Sequence, residues 1–373
     1  MGSVVWREIP TVLTAEELLD KAFSRAKKAG DAVVDKDRIY RTRKQMIRMV
    51  GSAGDSLSAT LVGWVHKWPS LDRMSYFDVA MVEAAVGCDQ YRQSLGACQW
   101  AAGKCVEIAQ QNAKKIRRMV NLPPMHEARR EAYGRISSIM YRIDKDLDFL
   151  MEARETLRTL PMIASSEPCV VVAGAPNVGK SALIASMSTG KPEIASYPFT
   201  TQQLHVGHFI NRRLRYQLVD TPGLLDRPME ERNPIEMQAI AALEHIGDLC
   251  LFLFDNSETG GTSIQAQKNL LSEVAQLLPQ TPLIVVDGKG DLIESISSED
   301  WLAVCKMEAD LENDPDGPIP EIRNPDTGHL VISATEMAGI ERLRFEIIER
   351  IGEQQDKNPL SLPENWPIRD DSV

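Results

Sequence analysis

Gly174-Ala175-Pro176-Asn177-Val178-Gly179-Lys180-Ser181 spells Gly-x4-Gly-Lys-Ser directly after the apolar run Cys169-Val170-Val171-Val172-Ala173. It continues into Ala182-Leu183-Ile184-Ala185-Ser186-Met187, which reads as a helix. Strand, loop and helix thus stand in the order that a phosphate loop requires. Gly174 and Gly179 permit the tight turn that aims backbone N–H groups at the β- and γ-phosphates. The Lys180 ammonium bridges those oxygens, and the Ser181 hydroxyl is placed to ligate Mg2+. The positive end of the helix dipole favours the same anion. Gly174, Pro176, Asn177, Val178, Gly179, Lys180, Ser181 and Ala182 are therefore the candidate phosphate-binding set.

Downstream, Asp220-Thr221-Pro222-Gly223 follows the strand-like Tyr216-Gln217-Leu218-Val219. A carboxylate at that strand end can hold the Mg2+ water shell, and the Gly223 N–H can meet a γ-phosphate. Tyr197-Pro198-Phe199-Thr200-Thr201 puts two hydroxyls on a preceding loop. One of them is expected to reach Mg2+ only when the γ-phosphate is present, which makes a switch. After Leu283-Ile284-Val285-Val286-Asp287 comes Gly288-Lys289-Gly290-Asp291. Asp291 can accept from N1–H and N2–H of guanine, donors that adenine lacks, while Lys289 packs over the ring. The usual motif here is Asn-Lys-x-Asp, so Gly288 removes one side-chain hydrogen bond to the base, about 1–3 kcal/mol. Ser333-Ala334-Thr335 is expected to offer a backbone N–H to the guanine carbonyl. These residues are expected to favour GTP and GDP over adenine nucleotides, with the effect of Gly288 on guanine selectivity left open.

Around these motifs the chain alternates short apolar strands with helices. Strands are expected near 169–173, 203–210, 214–219, 249–255, 282–287 and 329–332, and helices near 180–188, 234–246, 263–278, 298–310 and 338–352. Asn211-Arg212-Arg213 suits a hairpin at the sheet edge, and the other strands suit parallel βαβ units. Residues 311–328 read as a loop insertion. Residues before 167 lack β-branched runs and repeat apolar positions three and four apart, which predicts helices near 14–28, 35–50, 53–67, 75–86, 89–119 and 124–160. Breaks are expected at Gly51, Pro69, Gly87 and Pro123-Pro124. The expected fold is an α/β P-loop domain, a mostly parallel sheet flanked by helices, preceded by an all-α bundle. Its divisions are a basic bundle over 1–166, the nucleotide domain over 167–355 and a polar tail over 356–373.

Charge separates the same halves. Residues 1–166 hold 26 Lys and Arg against 20 Asp and Glu, net +6, whereas the remainder holds 16 against 33, net −17. A basic half on an acidic protein suits a polyanionic partner, although Lys and Arg also serve as ordinary solvated surface. No apolar run approaches the roughly 18–20 residues needed to cross a bilayer, and the start carries no signal-peptide pattern, so no membrane role is expected. Six scattered cysteines without Cys-x2-Cys spacing read as reduced packing thiols, with no metal cluster.

The motifs Gly-Ala-Pro-Asn-Val-Gly-Lys-Ser, Tyr-Pro-Phe-Thr-Thr, Val206-Gly207-His208, Asp220-Thr-Pro-Gly-Leu-Leu-Asp226 and Glu231-Arg-Asn-Pro-Ile-Glu-Met-Gln-Ala-Ile240 resemble the Nog-type, nucleolar GTP-binding branch of the Obg-related GTPases, in a short form like that of archaeal relatives. The resemblance runs from Trp6-Arg-Glu-Ile-Pro10 to the end of the nucleotide domain. It implies a GTPase in large ribosomal subunit assembly whose helical bundle docks on ribosomal RNA. It makes Thr201 the switch ligand, so the metal set becomes Ser181, Thr201 and Asp220 and the catalytic set Lys180, Thr201 and Gly223. Leu224 stands where many GTPases have a water-orienting Gln, so intrinsic hydrolysis is expected to be slow. Asn177 occupies a position that holds K+ in related GTPases, and K+ stimulation is a hypothesis that follows. The expected protein is cytoplasmic, and monomeric away from the ribosome. Two rivals stay open: a GTP-loaded scaffold with negligible turnover, and a signalling GTPase whose helical part binds protein.

Overall fold

A computed structural model describes residues 5–164, 167–196, 203–220, 225–226, 240, 243–311, 314 and 317–357. The chain divides between Met162 and Ile163 into two units.

The first unit is all helical: α1 (Ala15–Asp31), α2 (Arg38–Lys67), α3 (Tyr76–Val86), α4 (Cys88–Arg117), α5 (Leu122–Arg142) and α6 (Asp144–Leu157). Thr14 starts α1 through a capping box: Glu17 N donates to Thr14 Oγ1 at 3.3 Å, and Thr14 N donates back to Glu17 Oε2 at 3.0 Å. Asp37 caps α2 by accepting from Tyr40 N at 2.8 Å, and Ser75 caps α3. The core is apolar and tightly enclosed, with Trp6, Leu57, Leu61, Met81, Tyr91, Ile116, Ile136 and Met140 all buried. Two expectations fail here. No break occurs at Gly51, because α2 runs unbroken over 30 residues. The glycine that matters is Gly54, where a Cβ would lie 2.7 Å from Ala109 Cβ and 2.9 Å from the Cys105 carbonyl, so its bareness lets α4 close on α2. Conversely, the single helix expected over 124–160 is two, parted at the buried Ile143 (φ −98°, ψ 10°).

The second unit is a seven-stranded sheet in the order β2-β3-β4-β1-β5-β6-β7. Its strands are β1 (Cys169–Ala173), β2 (Glu193–Ser196), β3 (Gln203–Asn211), β4 (Leu214–Asp220), β5 (Leu249–Phe254), β6 (Leu283–Asp287) and β7 (Leu330–Val331). β1 and β5 are entirely buried and apolar, as strands covered on both faces must be, while β4 also buries Gln217 and Asp220. β4, β1, β5, β6 and β7 pair in parallel, and β2-β3-β4 is antiparallel. The hairpin turn is Arg212-Arg213, with Arg212 at φ 55°. It is not the sheet edge: β2, which the sequence pattern did not reveal because it is only four residues long, adds outside it. Helices α7 (Lys180–Met187), α8 (Ile264–Leu277), α9 (Ser298–Asp310) and α10 (Ile340–Lys357) complete the described part. The helix expected over 234–246 lies mostly outside the described residues. α10 extends past the expected end at 352, and residues 358–373 are outside the description.

The linker belongs to this second unit from Ile163 onward, four residues before the expected boundary. The reason is Gln217, buried on β4, whose amide accepts from Ala164 N at 2.8 Å and donates to Ala164 O at 2.9 Å. The expected loop insertion at 311–328 is likewise anchored. Asp287, fully buried at the end of β6, accepts from Asn324 Nδ2 at 2.7 Å and Thr327 Oγ1 at 2.9 Å, with His329 Nδ1 at 3.0 Å from its other oxygen.

Candidate functional site

β1 ends at Ala173 and α7 starts at Lys180, so the Gly174–Gly179 loop sits at the carboxyl end of a central parallel strand, where open α/β sheets bind ligands. Gly174 (φ 140°) and Gly179 (φ 106°) take the positive φ that glycine allows, and a Cβ on Gly174 would lie 2.5 Å from the Leu253 carbonyl. Asn177 also adopts a left-handed conformation at φ 61°. Lys180 is buried and folds back inside the loop, donating to Gly174 O at 2.8 Å and Ala175 O at 2.9 Å. Burial pulls its ammonium below the ordinary lysine range, against the Asp220 and Asp226 carboxylates that hold the charge.

Ser181 Oγ donates to Asp220 Oδ2 at 2.7 Å, joining the start of α7 to the end of β4. Asp220 is 1% exposed, and its Oδ1 accepts no hydrogen bond among the described residues. Burial raises this carboxyl above its usual range, and the Ser181 hydrogen bond and Lys180 charge only partly offset it. His205 Nδ1 on the adjacent β3 lies 3.7 Å from Asp220 Oδ2. A hydroxyl beside a buried carboxylate with acceptor capacity to spare is the hard-oxygen donor set that suits Mg2+. Thr201 and Gly223, the other expected phosphate-side residues, lie outside the described residues, as does Leu224.

The base-side motif is assembled on the ends of β6 and β7. Asp291 Oδ1 accepts from Ser333 Oγ at 2.8 Å, and Gly290 N donates to Ile332 O at 2.9 Å, so 289–291 and 333–335 form one surface. Asp291 is exposed and Ser333 buried, with Ala334 and Thr335 progressively more open. Glu336 steadies this loop by accepting from Trp301 Nε1 at 2.6 Å, and Cys305 Sγ lies 3.7 Å from the same oxygen. Lys289 takes a left-handed conformation (φ 54°). Its Nζ meets Asp255 Oδ2 and Thr259 Oγ1, each at 2.6 Å. A Cβ on Gly288 would lie 2.9 Å from Leu253 Cδ1, so an asparagine there would have to displace a buried leucine.

Residues 6–164 match the family described as NOG1 N-terminal helical domain, and residues 169–289 match the one described as 50S ribosome-binding GTPase. An uncharacterized protein of Methanocaldococcus jannaschii is 36% identical over 291 residues, 78% of this chain and 81% of that one. The nucleolar GTP-binding protein 1 of Encephalitozoon cuniculi is 32% identical over 78% of this chain and 55% of its own length. The chain belongs to the Nog-type GTPases. A solved Plasmodium falciparum structure described as nucleolar GTP-binding protein 1 is 31% identical and covers 53% of this chain and 93% of that one, at a TM-score of 0.41. The chain spans about half the length of the nucleolar relatives that it matches.

Within this Nog-type GTPase the structure brings Lys180, Ser181 and Asp220 together at the loop after β1, and Asp291 and Ser333 together beyond β6 and β7, while Lys289 is turned to Asp255. Asp255 was missed by sequence reasoning. It is 1% exposed and directly follows β5. Its place at a strand's carboxyl end, between the phosphate and base motifs, is the signal that would have found it.

Proposed function

We propose that this Nog-type GTPase cycles between GTP and GDP as a conformational switch in assembly of the large ribosomal subunit, in the cytoplasm, with its helical unit gripping ribosomal RNA. One observation carries the RNA part. At the end of the bundle where α2 begins and α4 finishes, Arg38, Arg41, Arg48, Lys114, Arg117 and Arg118 are exposed and make no ion pair among the described residues. Tyr40, 55% exposed, lies there with the Arg43 guanidinium 5.0 Å from its ring centroid. Cations without protein partners beside an accessible ring suit phosphates and an unstacked base.

On the nucleotide side, Lys180 would hold the β- and γ-phosphates, Ser181 and Asp220 would carry Mg2+, and Thr201 would complete the metal's shell only with GTP. The metal supplies charge neutralisation for phosphoryl transfer. K+ held by Asn177 would add positive charge at the same phosphates.

The test uses the full chain with large-subunit ribosomal RNA and with immature large-subunit particles. With three phosphate contacts, RNA affinity falls roughly 20- to 40-fold for a fourfold rise in salt. Single-turnover GTP hydrolysis should be faster with particles than without, and faster in KCl than in NaCl. Salt-independent RNA binding would overturn the RNA role. Turnover indifferent to particles would leave the chain a GTP-loaded scaffold, and equal rates in the two salts would remove K+.

A further inference from the structure

Gly288 leaves the base-reading loop one side-chain hydrogen bond short, and the residue beside it, Lys289, is held by Asp255 at the end of β5. Asp255 Oδ2 receives Lys289 Nζ at 2.6 Å and Gly260 N at 3.0 Å, while Ser257 N donates to Oδ1 at 3.0 Å. Thr259 Oγ1 is the second acceptor for the Lys289 ammonium, at 2.6 Å. Gln267, fully buried on α8, fixes Asp255 itself: its Oε1 accepts from Asp255 N at 2.8 Å and its Nε2 donates to Asp255 O at 2.9 Å. The same turn reaches the phosphate loop, since a Cβ on Gly260 would lie 3.2 Å from the Asn177 carbonyl. One carboxylate therefore stands between the loop that reads the base and the loop that cradles phosphate.

We infer that Asp255 is a positioning residue for guanine recognition: it holds the Lys289 ammonium so that the lysine stem lies over the base, beside a Gly288 that has no side chain to offer that base. This rests on the reading of Lys289 and Asp291 as the base site. Burial alone would push the Asp255 carboxyl up, but the Lys289 and Ser257 hydrogen bonds, the Gly260 N–H and the lysine charge outweigh it and hold it below the usual range. The carboxylate is thus ionised when it faces the ammonium, and the pair is charge-assisted.

The experiment measures GDP and ADP affinity of the full chain by competition, for the unaltered protein, Asp255→Asn, Lys289→Ala and the double variant, with thermal unfolding of each. Asp255→Asn keeps the shape and removes the charge. It should weaken GDP about tenfold, a loss matching one charge-assisted contact, and leave ADP nearly unchanged. If Asp255 acts through Lys289, the double variant binds GDP no worse than Lys289→Ala alone. Additive losses, or an unchanged GDP affinity, overturn the proposal. Thr259→Val, at an exposed position, keeps the test open should Asp255→Asn not fold: its loss must likewise vanish in the Lys289→Ala background. Equal GDP and ADP binding by the unaltered chain defeats the guanine reading itself, and the positioning role with it, whatever the variants do.

Discussion

Asp220 shows how one residue can serve the ligand at the expense of the empty fold. Its folded-state carboxyl is raised above the unfolded value by burial. Such a group contributes stability in full below the unfolded value, and that contribution is lost as pH rises through the folded one, so at neutral pH the charged carboxylate destabilises the nucleotide-free chain. Asp220→Asn should therefore raise the melting temperature of nucleotide-free protein by a few degrees, with the gain vanishing toward pH 3 to 4. The same variant should lose most of the further rise that Mg2+ and GDP give the parent, because a neutral amide is a poor ligand for a hard cation. Differential scanning calorimetry with and without Mg2+ and GDP measures both effects. A parent-like gain from Mg2+ and GDP in Asp220→Asn would remove Asp220 from the metal set.

At the level of elements, two glycines three residues apart in α2 make opposite demands. A Cβ on Gly51 meets nothing within 4 Å, so Gly51→Ala should stabilise the chain by about 0.5–1 kcal/mol through helix propensity alone. At Gly54 the same Cβ runs into the Cys105 carbonyl and Ala109, so Gly54→Ala should cost about 1–3 kcal/mol despite the same propensity gain. Urea unfolding monitored at 222 nm decides both signs. This pair also explains what could be read from the sequence and what could not. The phosphate loop, the helix starting near Thr14 and the strands ending at Asp220 and Asp287 were legible, because each depends on neighbours in sequence. A break was expected at Gly51, where α2 runs on, and none at Ile143, where α5 gives way to α6; that Gly54 is the glycine admitting α4 is decided by residues some fifty positions away. β2 was hidden by its length of four residues, and the role of Asp255 because Lys289, 34 positions further on, gives it meaning.

On the scale of the whole molecule, two of the bundle's exposed cations stand where they cost stability. The first turn of α2 contains no acidic residue, and Arg38 and Arg41 sit against the positive end of its dipole, each costing about 0.3–1 kcal/mol. Arg38→Glu with Arg41→Glu should therefore raise the bundle's stability while cutting RNA affinity and flattening its dependence on salt by about two phosphate contacts. Parallel melts and RNA titrations over a salt series would show both, and unchanged RNA binding would place the contact elsewhere. The six thiols follow a different distribution. Five are enclosed, with burial pushing Cys88 and Cys105 up to about 11 and Cys98 and Cys250 up to about 12, and Cys305 alone is partly open. A maleimide dye added to the native chain should consequently attach at one position, on α9 beside Glu336, the residue that braces the loop after β7. The molecule thus comes with a built-in place for a fluorescent reporter, next to the segment expected to meet the guanine carbonyl.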